Sequence, residues 1–243
     1  MAGTLHGRTA LVTGASSGIG AATARALAAQ GATVVLAARR LDRLHALQEE
    51  LEADGARASV VELDVSSPPS CQDAVETVHD RFGRLDILVN AAGVMTNSSV
   101  LDADWRDWEQ MLRVNVLGLM VLTQAALPML LEARGAVVQV SSAAGRRVGP
   151  GAAGYGASKF AVTAFSEALR QEVTALGVRV VVVEPGFVDT DMVATAPPEM
   201  QERARAIRML HPEDVAAAVV YAVTQPPHVA VNEILVRPTE QIA

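Results

Sequence analysis

Lysine is almost absent from this chain of 243 residues: of its 20 basic side chains only Lys159 is not an arginine. Cysteine is as scarce. Cys71 stands alone, at a bland helix-start position, which excludes an intrachain disulfide and fits a reducing compartment. Aromatic residues make up 3%, so the core has to be aliphatic, built from Ala, Val and Leu. Basic residues are outnumbered by 27 acidic ones, giving a net charge of −7. A chain without a basic face is not built to hold nucleic acid by its phosphates. The start, "MAGTLHGRTALVTG", carries no apolar leader, and the later sequence reads as holding no apolar run of membrane-spanning length. A cytoplasmic protein with no membrane partner is therefore expected. The five histidines are scattered without ligand spacing, so no metal site is indicated.

What is present alternates. Short β-branched runs occur at 9–13 ("TALVT"), 33–38 ("TVVLAA"), 58–63 ("ASVVEL"), 85–90 ("LDILVN"), 136–141 ("AVVQVS"), 178–184 ("VRVVVVE") and 233–237 ("EILVR"). Several are apolar throughout, as strands buried on both faces of a parallel sheet are. Segments of helical period lie between them, near 18–30, 41–53, 70–82, 103–131, 156–176 and 212–223, and Gly31 reads as a helix terminator. This pattern predicts an α/β fold. It is a Rossmann-type, doubly wound sheet of about seven parallel strands with helices on both faces, in one domain over 1–243.

The first strand runs into Gly14-Ala-Ser-Ser-Gly18-Ile-Gly20 and then a helix. Such a turn presents free backbone N–H groups and the positive end of a helix dipole, the combination that holds a pyrophosphate. Gly14 permits the tight turn, Gly18 close approach of the phosphates, and Gly20 close packing of helix on sheet. The spacing, Gly-x3-Gly-x-Gly, differs from the general dinucleotide fingerprint. A tight turn without a ligand is the plainer reading of these glycines by themselves.

"TGASSGIG", "LDV" at 63–65, "NAAG" at 90–93, "VN" at 114–115, "SS" at 141–142, "YGASK" at 155–159 and "PGFVDT" at 185–190 occur in one order along the chain. In this the sequence resembles the short-chain dehydrogenase/reductase family over essentially its whole length. "EALRQEV", "GVRVVVVEPG" and "EILVRPTEQ" further resemble its NADP-dependent subgroup that includes clavulanic acid dehydrogenase. The resemblance implies a catalytic set of Asn115, Ser142, Tyr155 and Lys159. It implies that Ser16, Ser17 and Ile19 join the three glycines at the phosphates, and that Asp64 and Val65 meet the adenine. It also implies that Asn90, Ala91 and Gly93 line the adenosine side, and that Pro185, Gly186, Val188 and Thr190 hold the nicotinamide amide. The family usually has a second asparagine where this chain has Ala91, so a local rearrangement is expected there, without loss of cofactor binding.

Reduction of a ketone leaves an alkoxide that a donor has to protonate as it forms. A phenol such as Tyr155 can donate, but its unperturbed pKa of about 10 makes the reverse, basic role difficult near neutrality. Residues four apart share one helix face, which sets Lys159 beside Tyr155, and a nearby cation is expected to lower the phenol's pKa. Arginine has charge but neither a compact ammonium nor a proton to release. Ser142 follows a strand at its carboxyl edge and can bond the substrate oxygen, while Ser141 should turn to the other face. Asn115, in the resemblance, marks a kink that holds a water next to the lysine.

An NAD-selective site places a carboxylate after the second strand. Here Ala38 stands in its place and Arg39 and Arg40 follow. An arginine fork fits a 2′-phosphate, so the cofactor expected is NADP(H), with Arg40 open to a plainer role at the next helix. The activity expected is NADPH-dependent reduction of a small or medium aldehyde, ketone or keto acid. An NADP-dependent dehydrogenase of 3-hydroxy acids or serine, and a non-catalytic NADPH-binding protein, are the alternatives. Substrate walls are expected at Val94–Thr96, Ala143–Val148 and Phe187–Ala196. Met192, Met200 and Met209 suit either a flexible lid or ordinary packing. Arg146 or Arg147 could meet a substrate carboxylate, or both could be a solvated pair. Trp105 and Trp108 read as packing and interface residues. The apolar surplus of 116–131 and of the Tyr155 helix predicts a homodimer or homotetramer.

Overall fold

The structure, a computed structural model, describes residues 4–241 apart from 195 and 197. Residue 195 of the expected substrate wall and the extreme ends of the expected 1–243 unit lie outside the described residues.

Seven strands form one parallel sheet: β1 (Thr9–Thr13), β2 (Thr33–Ala38), β3 (Arg57–Glu62), β4 (Ile87–Asn90), β5 (Ala136–Val140), β6 (Arg179–Pro185) and β7 (Glu233–Val236). Their order is β3-β2-β1-β4-β5-β6-β7. The order reverses between β1 and β4, so a crevice opens at the carboxyl ends of those two strands, where doubly wound sheets bind ligands.

β2 shows why so apolar a strand belongs inside. Val34 and Leu36 point into one core, while Val35 and Ala37 point into the other, the two-residue alternation of a pleated strand. The first core lies under α1 (Gly18–Ala29), α2 (Leu41–Ala53) and α9 (Pro212–Val223), through Leu27, Leu44 and Val219. The second lies under α3 (Pro68–Phe82), α5 (Leu119–Ala133) and α6 (Ala153–Val173), through Val78, Leu122 and Leu169. Each buried leucine contributes about 1.5–3 kcal/mol, which is how a core so poor in aromatics suffices. Gly31 behaves as read, with φ +88° just past α1, and the structure adds a cap at Asp104, whose carboxylate opens α4 (Trp105–Met111) by accepting from the Arg106 N–H at 2.9 Å.

The expected single helix over 103–131 is three segments in one run. α4 passes into a π-helical stretch, Leu112–Gly118, and then into α5. The run from Trp105 to Ala133 is long and apolar enough to cross a membrane by length and composition, which corrects the expectation that no such run exists. Here it is a core element: Leu122, Ala126 and Leu130 are fully buried against the sheet. At its π-helical end Gly118 lies directly against the Val65 carbonyl, with no room for a Cβ. Replacing it by alanine gains about 1 kcal/mol of helix propensity but forces backbone on backbone, an overpacking that costs about 1–3 kcal/mol. Gly118→Ala is therefore expected to lower stability in urea denaturation. An unchanged midpoint would show that the Val65 segment yields freely.

Candidate active site

The glycine turn fits an anion. Gly14 has φ +66° and Gly18 φ +51°, values that glycine adopts without strain. A Cβ on Gly14 would come within 3.0 Å of the Ala91 and Ala92 backbone. On Gly20 it would strike the Gly14 carbonyl. Ser17 is the N-cap of α1 yet makes no side-chain cap bond, and the first turn holds no acidic residue. No carboxylate of its own first turn therefore competes for the N–H groups there. Ile19 packs partly buried against the core behind them.

Arg40 is more than a helix opener. Its guanidinium donates to the Ser16 hydroxyl at 2.9 Å and to the Ser17 hydroxyl at 2.7 Å, spanning the turn. Arg39, from the same strand end, acts on Asp64: with Ser66 hydrogen bonds as the larger cause, it holds that carboxyl below its ordinary value. The Asp64 carboxylate accepts from the Ser66 hydroxyl at 2.7 Å and the Ser66 N–H at 3.0 Å, while Val65 backs onto Gly118. A cleft of about 420 Å³ beside the turn is lined by Ser16, Ser17, Gly18, Arg43 and Asp191.

At the end of β4 the expected set divides. The Asn90 amide turns inward, donating to the Thr123 hydroxyl at 3.0 Å and to Gln139 Oε1 at 2.9 Å. It is a buried tie, and its side chain does not line the crevice. Ala91 and Ala92 both donate their N–H to the Thr13 hydroxyl, at 3.1 and 3.0 Å. Thr13 is a residue that sequence reasoning missed. Its signal was a hydroxyl at the last position of β1, one residue before the glycine turn. Across the crevice Gly186 donates to the Val236 carbonyl at 2.8 Å, and Val188 pairs in a parallel bridge with Leu210. The Thr190 methyl packs 3.1 Å from the point a Gly18 Cβ would occupy. The 185–190 segment and the glycine turn therefore face each other.

Asn115 and Lys159 meet beside Gly93, where an added Cβ would lie 3.4 Å from Asn115 Oδ1 and 3.8 Å from Lys159 Nζ, and Lys159 and Ser142 both lie against Tyr155. The buried Asn115 amide accepts from the Val94 N–H at 2.8 Å and donates to the Val94 carbonyl at 2.9 Å and the Ser158 hydroxyl at 3.0 Å. Its expected kink is the π-helical stretch. Its side chain ties the β4 loop to α6. Lys159 donates to the Val140 carbonyl at 2.9 Å, its nitrogen 5.7 Å from the Tyr155 ring centre. The Ser142 hydroxyl accepts from the Ala144 N–H at 3.1 Å and donates to the Pro185 carbonyl at 3.5 Å. Ser141 turns the other way, donating to the Lys159 carbonyl at 3.1 Å.

Burial raises the Tyr155 phenol above its ordinary value of 10.0, and a hydrogen bond from Ser142 opposes it. The net direction is therefore opposite to the lowering expected from Lys159, and burial drives that ammonium itself down from 10.5 to about 8. A lysine depressed in the folded state costs stability while it is charged. The cost is full below pH 8, fades between 8 and 10.5, and vanishes above. Lys159→Met is therefore expected to be more stable than the parent at pH 7 by about 1–3 kcal/mol, after loss of one hydrogen bond. The gain should shrink as pH rises through that window. Parallel denaturant titrations at pH 7 and pH 10 check it, and a gain that grows with pH would refute the assignment.

Arg146 is not at the disposal of a substrate. Its guanidinium already pairs with Glu184 and Glu233. Arg147 is exposed. Trp108 packs its indole against Gly154, while Trp105 is exposed beneath Arg106. The segment after Thr190 forms two short helices, α7 (Asp191–Ala194) and α8 (Pro198–Arg205). Met192 reaches toward Gly93, and Met200 accepts from the Asn97 amide.

The family model described as short chain dehydrogenase matches residues 8–201. The chain belongs to the short-chain dehydrogenase family. It is 43% identical over 249 residues to glycine betaine reductase ATRR of Emericella nidulans, covering 98% of this chain and only 19% of that longer protein. It is 39% identical to an uncharacterized oxidoreductase of Staphylococcus aureus, covering 96% of this chain and 98% of that one. Among solved structures it resembles an alcohol dehydrogenase from the archaeon Thermococcus sibiricus complexed with 5-hydroxy-NADP. The TM-score is 0.88 at 31% identity, over 96% of this chain and 97% of that one. A metagenomic short-chain oxidoreductase in complex with NADP gives a TM-score of 0.83 at 34% identity, over 97% and 99%. This member of the family is an NADP-dependent oxidoreductase acting on a small molecule, and its sheet is the Rossmann-like one expected.

Proposed function

We propose that this enzyme reduces the carbonyl of a small or medium aldehyde, ketone or keto acid, with Tyr155 as the general acid. The observation that carries the reading is the convergence of Ser142 and Lys159 on Tyr155, with Lys159 beside Gly93 at the carboxyl edge of the sheet. NADPH supplies the hydride when bound between the glycine turn and the 185–190 segment. Ser142 donates a hydrogen bond to the substrate oxygen. Tyr155, whose phenol burial keeps protonated, passes its proton to that oxygen as negative charge develops on it. Lys159, at about 8, is poised to give up and regain a proton near neutrality, as a relay requires and an arginine cannot.

The likeness to the NADP-dependent subgroup that includes clavulanic acid dehydrogenase belongs to this reading. Oxidation of hydroxy acids is the weaker direction, since Arg146, a candidate for a carboxylate, is already paired. Leu112, Leu117, Met120 and Phe160 expose apolar surface on the π-helical stretch, α5 and α6, and support a two-fold pairing of subunits, extended to a tetramer. The buried Cys71 thiol, pushed up to about 11, suits a cytoplasmic location. A panel of aldehydes, ketones and keto acids followed by NADPH absorbance tests the reaction. Consumption of none of them, by protein that binds NADPH, would refute it.

A further inference from the structure

Glu184 is a carboxylate near the carboxyl end of β6, with no side-chain exposure. One of its oxygens accepts from Arg146 Nε, and the other, Oε1, is buried with no hydrogen-bond partner among the described residues. Burial and the nearby Glu233 raise its pKa, while Arg146 opposes them. Arg146 also donates through Nη2 to Glu233 at the start of β7. One guanidinium thus ties two neighbouring strands to a turn that belongs to neither.

That turn carries Ser142. It leaves β5, forms a short 3₁₀ helix over Ala143–Gly145 and is closed by Gly145 N–H to the Ser142 carbonyl at 2.8 Å. Arg146 follows at once. Glu184 in turn is the residue before Pro185, whose carbonyl accepts from the Ser142 hydroxyl. The ion pair therefore clamps both sides of the Ser142–Pro185 contact, one residue beyond the turn on one side and one residue before the acceptor on the other. The contact itself is long, at 3.5 Å, and has little power to hold the turn unaided. A buried carboxylate kept beside a single guanidinium is costly to break, so the turn has one favoured seat.

We propose that Arg146 is a positioning residue: its pair with Glu184, extended to Glu233, seats the Ser142–Arg147 turn so that the Ser142 hydroxyl meets the substrate oxygen beside Tyr155. This rests on the carbonyl-reductase reading above. The pair acts through Ser142 and touches no substrate.

A double-mutant cycle with Ser142 tests it. Arg146→Met is expected to lower kcat by about 10- to 100-fold, the scale of a displaced catalytic group, and to leave the Kd for NADPH unchanged. In the Ser142→Ala background the same substitution should cost less than about threefold, because there is no hydroxyl left to misplace. Arg146→Lys, which keeps the charge but not the fork, should fall between. An equal loss in both backgrounds would overturn the proposal and leave Arg146 a merely structural residue. Should Arg146→Met fail to fold, Glu184→Gln keeps the shape and an acceptor and carries the same cycle. Hydrogen exchange of the peptide over 141–148 gives a readout that needs no turnover: it should rise about tenfold or more in Arg146→Met, and unchanged exchange would overturn the proposal. A parent enzyme that consumes no carbonyl counts against the reaction itself, while the exchange rate still decides whether the pair seats the turn.

Discussion

Tyr155→Phe should bind NADPH as the parent does and lose about 10²–10⁴-fold in kcat, the contribution of a positioned general acid. The geometry makes the substitution a clean one. It removes a single oxygen, leaves the ring beside Lys159, and leaves the Tyr155 backbone carbonyl free to accept from Ser158 at 2.7 Å as before. Ser142 loses only a phenol partner, and keeps the Ala144 N–H and the Pro185 carbonyl. Residual activity within tenfold of the parent would remove Tyr155 from the acid role. The companion variant Lys159→Arg should fold and turn over weakly, because the planar fork cannot occupy the pocket where the ammonium donates to the Val140 carbonyl. Near-normal turnover by that enzyme would show that charge alone is what the site requires, and the single lysine of the chain would lose its explanation.

Fold and machinery were legible to different depths, and the difference is one of range. The central strands were readable from their own residues, because a strand buried on both faces has no place for charge, and Thr9–Thr13, buried at every position, carries none. The Ser142, Tyr155 and Lys159 convergence was readable because two of the three lie one helical turn apart and the third ends the neighbouring strand. Arg146 was not readable. It lies four residues from Ser142, but its partners are 38 and 87 residues away in sequence, and only the parallel pairing of β6 with β7 brings Glu184 and Glu233 to it. The inward turn of the Asn90 amide was not readable for a related reason. Nothing local tells the last residue of a strand to turn its amide toward Thr123 and Gln139. The π-helical stretch was visible only as an interruption by Asn115, since i→i+5 bonding has no composition of its own. Even the lysine's effect on the tyrosine was misjudged. Spacing gives proximity, but burial of both groups decides which way each titrates.

Arg39→Ala should weaken NADPH about tenfold to 150-fold and hardly touch NADH, the loss of one charge-assisted hydrogen bond of about 1.5–3 kcal/mol. The structure sharpens the reason for expecting a large effect. Arg40 is already fixed across the Ser16 and Ser17 hydroxyls, so its fork is ordered where a 2′-phosphate would meet the turn. Arg39 follows Ala38 as the second cation, and adds to the Ser66 hydrogen bonds that hold the Asp64 carboxyl down. Removing either arginine should cost affinity, and Arg40→Ala should also loosen the serines that it spans. Ala38→Asp acts from the other side. At the end of β2, beside Glu62 in register on β3, it adds a carboxylate that repels a phosphate and accepts from the 2′-hydroxyl of NADH. Ala38→Asp with Arg39→Ala should therefore invert the preference. The value of kcat with the better cofactor should stay near the parent's, because Tyr155, Ser142 and Lys159 lie at the other end of the crevice. The measurement is kcat/KM for both nucleotides in the parent, the two single variants and the double. A parent that already prefers NADH, or an Arg39→Ala enzyme with undiminished discrimination, would mean that the end of β2 does not read the phosphate.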